Sequence, residues 1–512
     1  MTDELPTTTR AGLRSRLDVR KQHRVVVVPA LVVLALAALV LDRGVVATVV
    51  LLVLAAAALV DPPLGHTPTW AHGLPGVPDG PARVSRVPKQ VFPAVSAVVV
   101  LAALALVVLD LGATSFLVLG VVALLAWLVA ADSAIVLLLQ RRRMRRALLR
   151  YAPTTALGFA GRSGGPWQLR MWEPYVLRSG EHNIVISLHP KYSRMILKDA
   201  ALTSPFVQLG SRGFDDLDHV LVPSLKAVFY VQNARANAGF MAHKHLTHVW
   251  LNHGDSDKPA NFNPRHALYD VLVVCGQAGI DRYERHGIHV EPEKFVILGR
   301  PQASGVQPAD GPVAEKDPKV VLYAPTWHGL DEAVNFSSLE RGPEIVRALI
   351  DRGATVIFRP HPLSYRWRIR RAVVQEIRDI LRADKATSNR KHHWGGTVDK
   401  KWSVADCANR SHALISDVSS VVSDFLQSGK PYAMTSMRAS IEDFRAEFSV
   451  AETAYVILGD LSNLDEALDD LLVRDPLAQA RVERKRYVLG DFEGEESADA
   501  FAAFVRTLVR GG

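Results

Sequence analysis

The amino-acid sequence predicts two α/β domains preceded by an α-helical membrane region, and two observations support this fold class. From Tyr151 onward, short apolar strands alternate with amphipathic helices, which is typical of parallel sheets. Before that point, long apolar runs are separated by clusters of Arg and Lys. Basic clusters that flank apolar runs indicate helices that cross a bilayer. The chain has 512 residues, which is enough for about three such regions.

Composition and charge limit the classes of partner. The chain carries 60 Lys and Arg against 52 Asp and Glu, so its formal net charge is +8. The basic residues that follow the apolar region are scattered and are not interleaved with aromatic residues, which argues against nucleic acid as a partner. The cysteines, Cys275 and Cys407, have no metal-ligand spacing and form no disulfide framework. We therefore expect a reduced, cytosolic setting for this part of the chain.

The apolar region, residues 25–140, is expected to form four transmembrane helices in two hairpins. A helix needs about 20 apolar residues to cross the hydrocarbon layer. Because the basic clusters lie before, between and after the two hairpins, the positive-inside tendency places residues 1–24, the loop between the hairpins and the chain from residue 151 onward in the cytoplasm. The expectation is a multi-pass protein of the cell membrane, with membrane lipid as a partner; a buried bundle in a soluble protein is the alternative. The apolar runs are Val25–Leu41, Val45–Val60, Val91–Leu109 and Phe116–Leu139.

The rest of the chain is predicted to form an N-terminal α/β domain at residues 151–301 and a C-terminal α/β domain at residues 319–512. A Pro-, Gly- and Asp-containing stretch at residues 302–318 has the composition of a linker. Two such domains suggest a cleft between them. The predicted strands are Asn183–Leu188, Ala227–Val231, Val249–Leu251, Val271–Val274, Glu293–Leu298, Val320–Tyr323, Thr355–Phe358 and Ala413–Ile415, and the predicted helices include Gly342–Arg352 and Val418–Gln427.

One polar loop follows the predicted strand Val249–Leu251 and begins at His253. In open parallel sheets, ligands bind at the carboxyl ends of the strands. The loop combines a titratable His with Gly254, which permits close backbone approach to a ligand. A solvated turn after a strand would have the same composition. The other candidate ligand contacts in this loop are Asp255, Ser256 and Lys258.

Three strand ends in the C-terminal domain carry polar groups that suit phosphate binding. Ser419 and Ser420 stand where a helix is predicted to begin, so their hydroxyls and the unpaired backbone N–H groups offer an anion site. Simple helix capping is the alternative. Asp424 follows one helical turn later on the same face, as a contact for a ligand hydroxyl or as a solvated side chain. Asp417 lies in the same loop.

The other two strand ends carry Thr326 with Trp327, and Arg359 with His361. Arg359 and His361 are suited to hold a diphosphate through charge-assisted hydrogen bonds. His361 lies between two prolines that fix its backbone, which favours a positioned side chain. Trp327 is a candidate for stacking on a base, and a buried Trp is the common alternative.

Several enzyme classes lose support because their motifs are missing. The sequence has no HExxH or CxxC, so its other histidine clusters are interpreted as surface or core residues and no metal site is expected. It also has no Walker-A loop and no GxGxxG, which argues against ATP- and NAD-dependent chemistry. No cofactor is expected.

Four motifs, HGDSDK, YAPTW, FRPHP and SDVSSVVSDFLQSGKP, resemble in order and spacing the CDP-glycerol glycerophosphotransferase family of teichoic-acid primases and polymerases. The resemblance spans residues Ala227 to Pro431. It implies two Rossmann-like domains in a glycosyltransferase-B-like fold. It also implies transfer of glycerol phosphate, or a related polyol phosphate, from a CDP-polyol donor to a hydroxyl of a polyprenyl-linked or polymer acceptor, with release of CMP.

The resemblance also implies roles for individual residues. His253 is the base that deprotonates the acceptor hydroxyl, and His361 stabilises the donor diphosphate with Arg359 nearby. Ser419 and Ser420 bind phosphate, and no metal is required. The chain departs from the family at His328, where members often carry a basic residue, and in its apolar hairpins, which many members lack.

Two other functions remain open. A nucleotide-sugar-dependent glycosyltransferase of the same fold would retain the two domains and use a different donor. A non-catalytic membrane scaffold would retain the fold without chemistry. The joint presence of the histidines, the arginine and the serines named above argues against the scaffold.

Overall fold

The computed structural model describes residues 19–58, 67–81, 91–160, 166–189, 192–210, 213–252, 261–328 and 335–511. The chain divides into two compact units. The first unit comprises Met1–Tyr151, Leu188–Pro190 and Pro205–Val222; the second comprises Ala152–Ser187, Lys191–Ser204 and Pro223–Gly512.

The first unit is built mainly from helices that coincide with the apolar runs. Its core is formed by small and aliphatic side chains such as Ala38 and Leu51, together with Phe116. Arg141 forms an ion pair of 2.5 Å with Asp216, which ties the longest helix to a short one. Strands β1 and β4 pair in antiparallel fashion. The elements are α1 (Val19–Val40), α2 (Val45–Ala58), β1 (Trp70–His72), α3 (Val91–Val108), α4 (Ala113–Tyr151), β4 (Phe206–Gln208) and α7 (Phe214–Val220).

The prediction of a transmembrane region is contradicted by these helices. In the part of the chain that the structure describes, no helix has both the length and the apolar character that crossing a membrane requires. The predicted multi-pass membrane localisation is contradicted with it. Residues 1–18 of the predicted cytoplasmic N-terminus lie outside the described residues.

The second unit begins with a parallel sheet, the first sheet, in the order β3-β2-β5-β6-β7-β8. Its strands are short and most of their side chains are buried, as expected of parallel strands that are covered on both faces. The elements are β2 (Thr155–Phe159), α5 (Pro166–Arg178), β3 (Asn183–Ser187), α6 (Ser193–Ala200), β5 (Ala227–Tyr230), α8 (Ala238–Met241), β6 (Thr247–Trp250), β7 (Val271–Val274), α9 (Gln277–Arg285) and β8 (Phe295–Ile297).

A second parallel sheet follows in the order β10-β9-β11-β12-β13. Two buried apolar clusters lie against it, one including Leu322 and Ile357 and the other including Val321 and Val356. The elements are β9 (Val320–Ala324), α10 (Gly342–Asp351), β10 (Thr355–Phe358), α11 (Arg368–Ser388), α12 (Val404–Asn409), β11 (Ala413–Ser416), α13 (Ser420–Leu426), β12 (Tyr432–Ser436), α14 (Ile441–Glu447), β13 (Tyr455–Leu458), α15 (Leu464–Asp469), α16 (Ala478–Leu489) and α17 (Glu496–Arg510).

These two sheets confirm the α/β part of the predicted fold class. The strands Val271–Val274 and Thr355–Phe358 have the predicted bounds, because three of the four residues in the first and all four in the second are β-branched or aromatic. Strand β2, of sequence TALGF, is absent from the prediction, since Ala and Gly have little strand propensity. Its place between β3 and β5 is set by pairing within the sheet.

The last helix of the chain returns to the first sheet. Phe501 of α17 is fully buried, and its ring centroid lies 5.1 Å from that of Trp172 in α5. Arg178 of α5 forms an ion pair of 2.7 Å with Asp499. The hydroxyl of Ser497 donates to the carbonyl of Leu298 at 2.7 Å. The covering layer of the first sheet therefore includes residues from the opposite end of the chain.

Candidate active site

The polar loops of the second sheet converge because its strands are parallel and end in register. Phe358 of β10 lies beside Tyr323 of β9, and Ser416 of β11 lies beside Ala324. The three loops that follow these strands therefore share one carboxyl edge, where open α/β sheets bind ligands. These loops contain Thr326, Trp327, Arg359, His361, Asp417, Ser419 and Ser420.

Asp417 joins the loops from within. Its side chain is fully buried, and one carboxylate oxygen accepts from the backbone N–H groups of Thr326 at 2.7 Å and Ser338 at 3.1 Å. The other oxygen accepts from the hydroxyl of Thr435. Burial raises the pKa of Asp417, and these hydrogen bonds oppose the rise. The carboxylate thus holds the loop after β9 against β11 and β12.

The loop after β9 places Trp327 close to His361, with ring centroids 6.4 Å apart. Thr326 is buried, and its carbonyl accepts from the hydroxyl of Ser337 at 2.8 Å. Trp327 is half-buried, which leaves part of its ring surface accessible at the edge of the sheet. A half-buried Trp beside a His is an arrangement that suits stacking on a planar ligand group.

His361 is held by its own loop. Its backbone N–H donates to the carbonyl of Pro325 at 3.1 Å, and its Nδ1 accepts from the N–H of Leu363 at 3.1 Å. Because Nδ1 is an acceptor, the hydrogen-bond network assigns the proton of the neutral ring to Nε2. The ring is half-buried. His361 is therefore pre-set to donate a hydrogen bond from Nε2 at the edge of the sheet.

Arg359 is engaged by the protein itself. Its Nη1 donates to the carbonyl of Trp402 at 2.9 Å and to that of Val398. Val398 belongs to a short π-helical turn, Thr397–Lys401, and Trp402 follows that turn directly. The guanidinium thus supports this turn and adds positive charge two residues away from His361.

Ser419 and Ser420 lie at the start of α13, as the sequence predicts, and both are half-buried. The hydroxyl of Ser419 accepts from the N–H of Val421 at 3.2 Å, so Ser419 caps the helix. Helix α13 has seven residues. The capping alternative therefore applies to Ser419, while Ser420 has no capping role.

Asp424 forms an ion pair with Arg300 through its Oδ1 and the Nε of the arginine. The side chains of Arg300 and Asp424 are 4% and 12% exposed, so the pair is largely removed from water. Arg300 follows β8 of the first sheet, and Asp424 belongs to α13 beside the second sheet. The pair therefore joins the two sheets near the loop that contains Ser419 and Ser420, which is called the serine loop below.

The loop that the sequence predicts to carry the base lies outside the described residues, and with it His253, Gly254, Asp255, Ser256 and Lys258. The residues on either side of this loop are described. Asn252 has a φ of 61°, in the left-handed region that Asn tolerates better than most residues. Its amide donates to Oδ1 of Asn261 at 2.5 Å. This hydrogen bond brings the two ends of the loop together.

Trp172 fixes the same corner of the first sheet. Its Nε1 donates to the carbonyl of Asn252 at 2.7 Å, and its ring packs on Phe501. A cavity of about 30 Å³ lies beside these residues, lined also by Arg282 and Arg300. That volume holds about one water molecule, so this cavity is too small for a substrate.

Two histidines near this corner are structural. His266 is fully buried, and its Nδ1 lies 2.7 Å from the hydroxyl of Tyr283. Burial lowers the pKa of His266 to about 4. His248 is also buried, and burial lowers its pKa, which agrees with its interpretation as a surface or core residue. Within the described ranges, no group of three His, Cys, Asp or Glu side chains is placed to hold a metal ion.

Sequence reasoning missed the residues that connect the loops to each other. Arg300, Trp172 and Asn261 each contact a segment that is not adjacent in the sequence, so no local pattern marks them. The Gly-Arg-Pro sequence at the end of β8 is the one available signal, because a Gly with a φ of 68° and a Pro bracket Arg300.

Residues 311–445 match the family described as CDP-glycerol:poly(glycerophosphate) glycerophosphotransferase. The predicted family resemblance is confirmed. The matched segment contains the loops after β9, β10 and β11, and ends before β13. The predicted enzyme class, a CDP-glycerol glycerophosphotransferase-like phosphotransferase, is confirmed with it. The loop of His253 lies outside the segment that matches this transferase family. A comparison with curated proteins gives no match.

The chain is also similar to several solved structures. The wall teichoic acid polymerase TagF has a TM-score of 0.42 and 13% identity, covering 73% of this chain and 95% of TagF. S. aureus MnaA with UDP has a TM-score of 0.46 and 14% identity, covering 70% of this chain and 97% of MnaA. A protein from Listeria monocytogenes described as a UDP-N-acetylglucosamine 2-epimerase has a TM-score of 0.46 and 11% identity, covering 70% of this chain and 98% of that protein.

Proposed function

We propose that this protein transfers glycerol phosphate, or a related polyol phosphate, from a CDP-activated donor to a hydroxyl of a polyprenyl-linked or polymer acceptor in the synthesis of a wall polymer. The observation that carries the proposal is the convergence of three motifs at one edge of the second sheet, inside the segment that matches the transferase family. A polar edge of this kind suits a nucleoside diphosphate.

The reaction is a displacement at phosphorus. The acceptor oxygen attacks the phosphorus that carries the polyol, a new P–O bond forms, and the P–O bond to CMP breaks. The proton of the acceptor hydroxyl passes to His253, which acts as the general base. CMP leaves with the bridging oxygen. The products are therefore CMP and an acceptor extended by one polyol phosphate.

On the donor side, His361 donates a hydrogen bond from Nε2 to the diphosphate and stabilises the charge that develops on the leaving CMP. Its bond from Leu363 to Nδ1 supports this role, because that bond favours the Nε2–H tautomer. Arg359 adds positive charge nearby, and Ser420 offers a hydroxyl. Trp327 stacks on the cytosine ring. Thr326 and Asp417 act by holding the loop.

Asp424 is assigned a structural role beside the site. Its ion pair with Arg300 supports a role in fixing α13, and through it Ser419 and Ser420, relative to the first sheet. The remaining residues of the acceptor loop, Gly254, Asp255, Ser256 and Lys258, are proposed to contact the acceptor chain.

The test is release of CMP by the purified full-length chain from labelled CDP-glycerol, CDP-ribitol and UDP-sugars, each with a polyprenyl-linked acceptor. We expect CMP from a CDP-polyol, and losses of at least roughly a hundredfold in His253→Ala and His361→Ala, as for a general base and a charge-stabilising donor. His289→Ala, which changes a histidine elsewhere, serves as the matched control. Release of UDP from a UDP-sugar would establish the glycosyltransferase alternative, and donor binding without turnover would establish the scaffold.

A pH–rate profile separates the two histidines. A base in the rate-limiting step gives a limb on the acid side, because activity requires its neutral form. We expect this limb to disappear in His253→Ala. Its persistence in that variant would contradict the assignment of His253 as the base, even if the variant is slow.

A further inference from the structure

The amino edge of the second sheet carries an open groove that no motif predicted. It lies beside Val320 and Thr355, the first residues of β9 and β10. This end of the sheet is opposite to the loops that follow β9, β10 and β11. The groove has a volume of about 640 Å³. Its polar and aromatic lining is formed by Thr355, Ser388, Asn389, Arg390, Lys391, His393, Trp402 and Arg410.

The lining is cationic. Arg390, Lys391 and Arg410 line the groove, and none of the residues that line it is acidic. Arg390 pairs with Asp384, and Arg410 makes a long contact of 3.4 Å with Asp406, in which both side chains are nearly half exposed. An exposed pair of this length contributes little. Nη1 of Arg410 also donates to the carbonyl of Asp406 at 3.0 Å, so an anion would bind through the other nitrogens of this guanidinium. Lys391 is exposed.

A buried hydroxyl forms part of the same wall. Thr355 is 4% exposed, and its Oγ1 has no hydrogen-bond partner among the residues that the structure describes. A buried hydroxyl without a partner costs free energy, commonly about 1–3 kcal/mol. An anion bound in the groove would supply the missing acceptor. This second observation is independent of the charges.

The ring of Trp402 in the groove is already in contact with two neighbours. The guanidinium of Arg410 lies 4.6 Å above the ring centroid of Trp402, and the ring of His393 lies 5.0 Å from it. A nucleobase would have to displace these neighbours before it could stack. Burial lowers the pKa of His393, with Lys385 and Arg410 adding to the effect, so this ring is neutral near pH 7. The lining therefore favours a flexible chain with separated negative charges over a nucleotide.

We infer that this groove binds a phosphodiester chain and is a second contact for the acceptor polymer, away from the reacting end. The inference rests on the proposed function for the identity of the polymer. The anion site itself is argued from the groove alone. Binding there tethers the polymer between transfers, so the local concentration of its reacting end rises.

The experiment measures binding of a fluorescent oligo(glycerol phosphate), with its terminal hydroxyl blocked, to the full-length protein saturated with CDP. The groove variant is Lys391→Ala with Arg410→Ala, and Thr355→Val removes the hydroxyl at nearly constant volume. The control is Arg347→Ala with Arg382→Ala, which removes the same charge from two side chains that are 53% and 59% exposed outside the groove. Thermal midpoints show that each variant is folded.

We expect the groove variant to bind about tenfold more weakly and Thr355→Val a few-fold more weakly, while the control changes less than about twofold. Equal binding by the groove variant and the control overturns the inference. So does an equal loss of affinity for inorganic phosphate and for the oligomer, since that marks a small-anion site.

A separate assay distinguishes failure of the proposed function from failure of the inferred anion groove. Release of CMP from CDP-glycerol with a short acceptor should be the same in the groove variant and the wild type. If the wild type releases no CMP from any CDP-polyol, the proposed function fails, whereas weaker oligomer binding by the groove variant would still establish the anion groove.

Discussion

At the residue scale, the adjacent serines Ser419 and Ser420 have different structural roles. Its hydroxyl caps α13, and its neighbour Ser420 lies at the same edge of the sheet without a capping role. The sequence alone does not distinguish the roles of these adjacent serines, whereas substituting them one at a time does.

We expect Ser419→Ala to lower the free energy of unfolding by about 1 kcal/mol, because the N–H of Val421 loses its acceptor. Ser420→Ala should leave stability within about 0.5 kcal/mol of the wild type. If Ser420 contacts the donor, its variant should raise the KM for the CDP-polyol. Denaturant unfolding and donor titration measure the two effects, and an equal loss of stability in both variants would contradict the capping assignment.

His266 gives the protein a pH-dependent stability. Its pKa in the folded protein is about 4, below the value of about 6.5 for a histidine in an unfolded chain. The unfolded state therefore takes up a proton first as the pH falls. The contribution of His266 to stability is complete above about pH 6.5 and is lost between there and about pH 4.

From about pH 7 to about pH 5, this linkage should lower the free energy of unfolding by about 2 kcal/mol. His266→Phe should be less stable at pH 7, because the hydrogen bond between Nδ1 of His266 and the hydroxyl of Tyr283 is lost, and should lose this part of the pH dependence. His289→Phe, at a position outside this buried cluster, should retain it. Denaturant unfolding at both pH values is the measurement; an unchanged slope in His266→Phe would refute the assignment.

At the scale of elements, the ion pair of Arg300 and Asp424 connects the end of β8 to α13. Removing one partner from a largely buried pair leaves the other charge without compensation, which typically costs about 3–5 kcal/mol. Arg300→Met and Asp424→Asn should each show a loss of this order in denaturant unfolding. The exposed pair Arg347–Glu376 is the control and should contribute less than about 1 kcal/mol.

The double variant tests whether the two residues act through each other. A double-mutant cycle should recover a coupling energy, so that the second substitution costs less than the first. Losses that simply add would show that the two side chains act independently. Transfer activity should fall in both single variants, since α13 carries the serine loop.

Elements were predictable wherever their signal is local. β7 and β10 follow from short runs that are rich in β-branched residues, and the loop of Ser419 and Ser420 follows from its hydroxyls before a helix. The partners of the loops were not predictable, because they are chosen by packing between segments that are distant in the sequence. Arg359 is the clearest case, since its sequence context suggests a ligand contact and its Nη1 donates to two backbone carbonyls.

In the first unit, the sequence predicts which segments are helical and does not predict where each helix begins and ends. The sequence predicts helices there, and helices form at Val19–Val40, Val45–Ala58, Val91–Val108 and Ala113–Tyr151. Composition identifies the helices but does not fix where each begins and ends.

At the scale of the whole second unit, Phe501 connects the end of the chain to the first sheet. Phe501→Ala should cost about 3–5 kcal/mol, because a fully buried ring is lost beside Trp172 and Phe229. Phe504→Ala, at a half-buried position of the same helix, should cost clearly less. Hydrogen exchange should accelerate in α5 and β5, and a thermal midpoint equal to that of the wild type would contradict this.

The return of α17 also determines when the first sheet can be completed during synthesis. Arg178 and its partner Asp499 are separated by 321 residues, so α5 leaves the ribosome long before its partner helix exists. At about 5–20 residues per second, that interval lasts roughly 15–60 seconds. Throughout it, the buried faces of α5 and β5 lack their final cover and must be shielded by chaperones or by transient contacts. Biogenesis, more than the finished fold, is therefore the stage at which this chain is most exposed to aggregation.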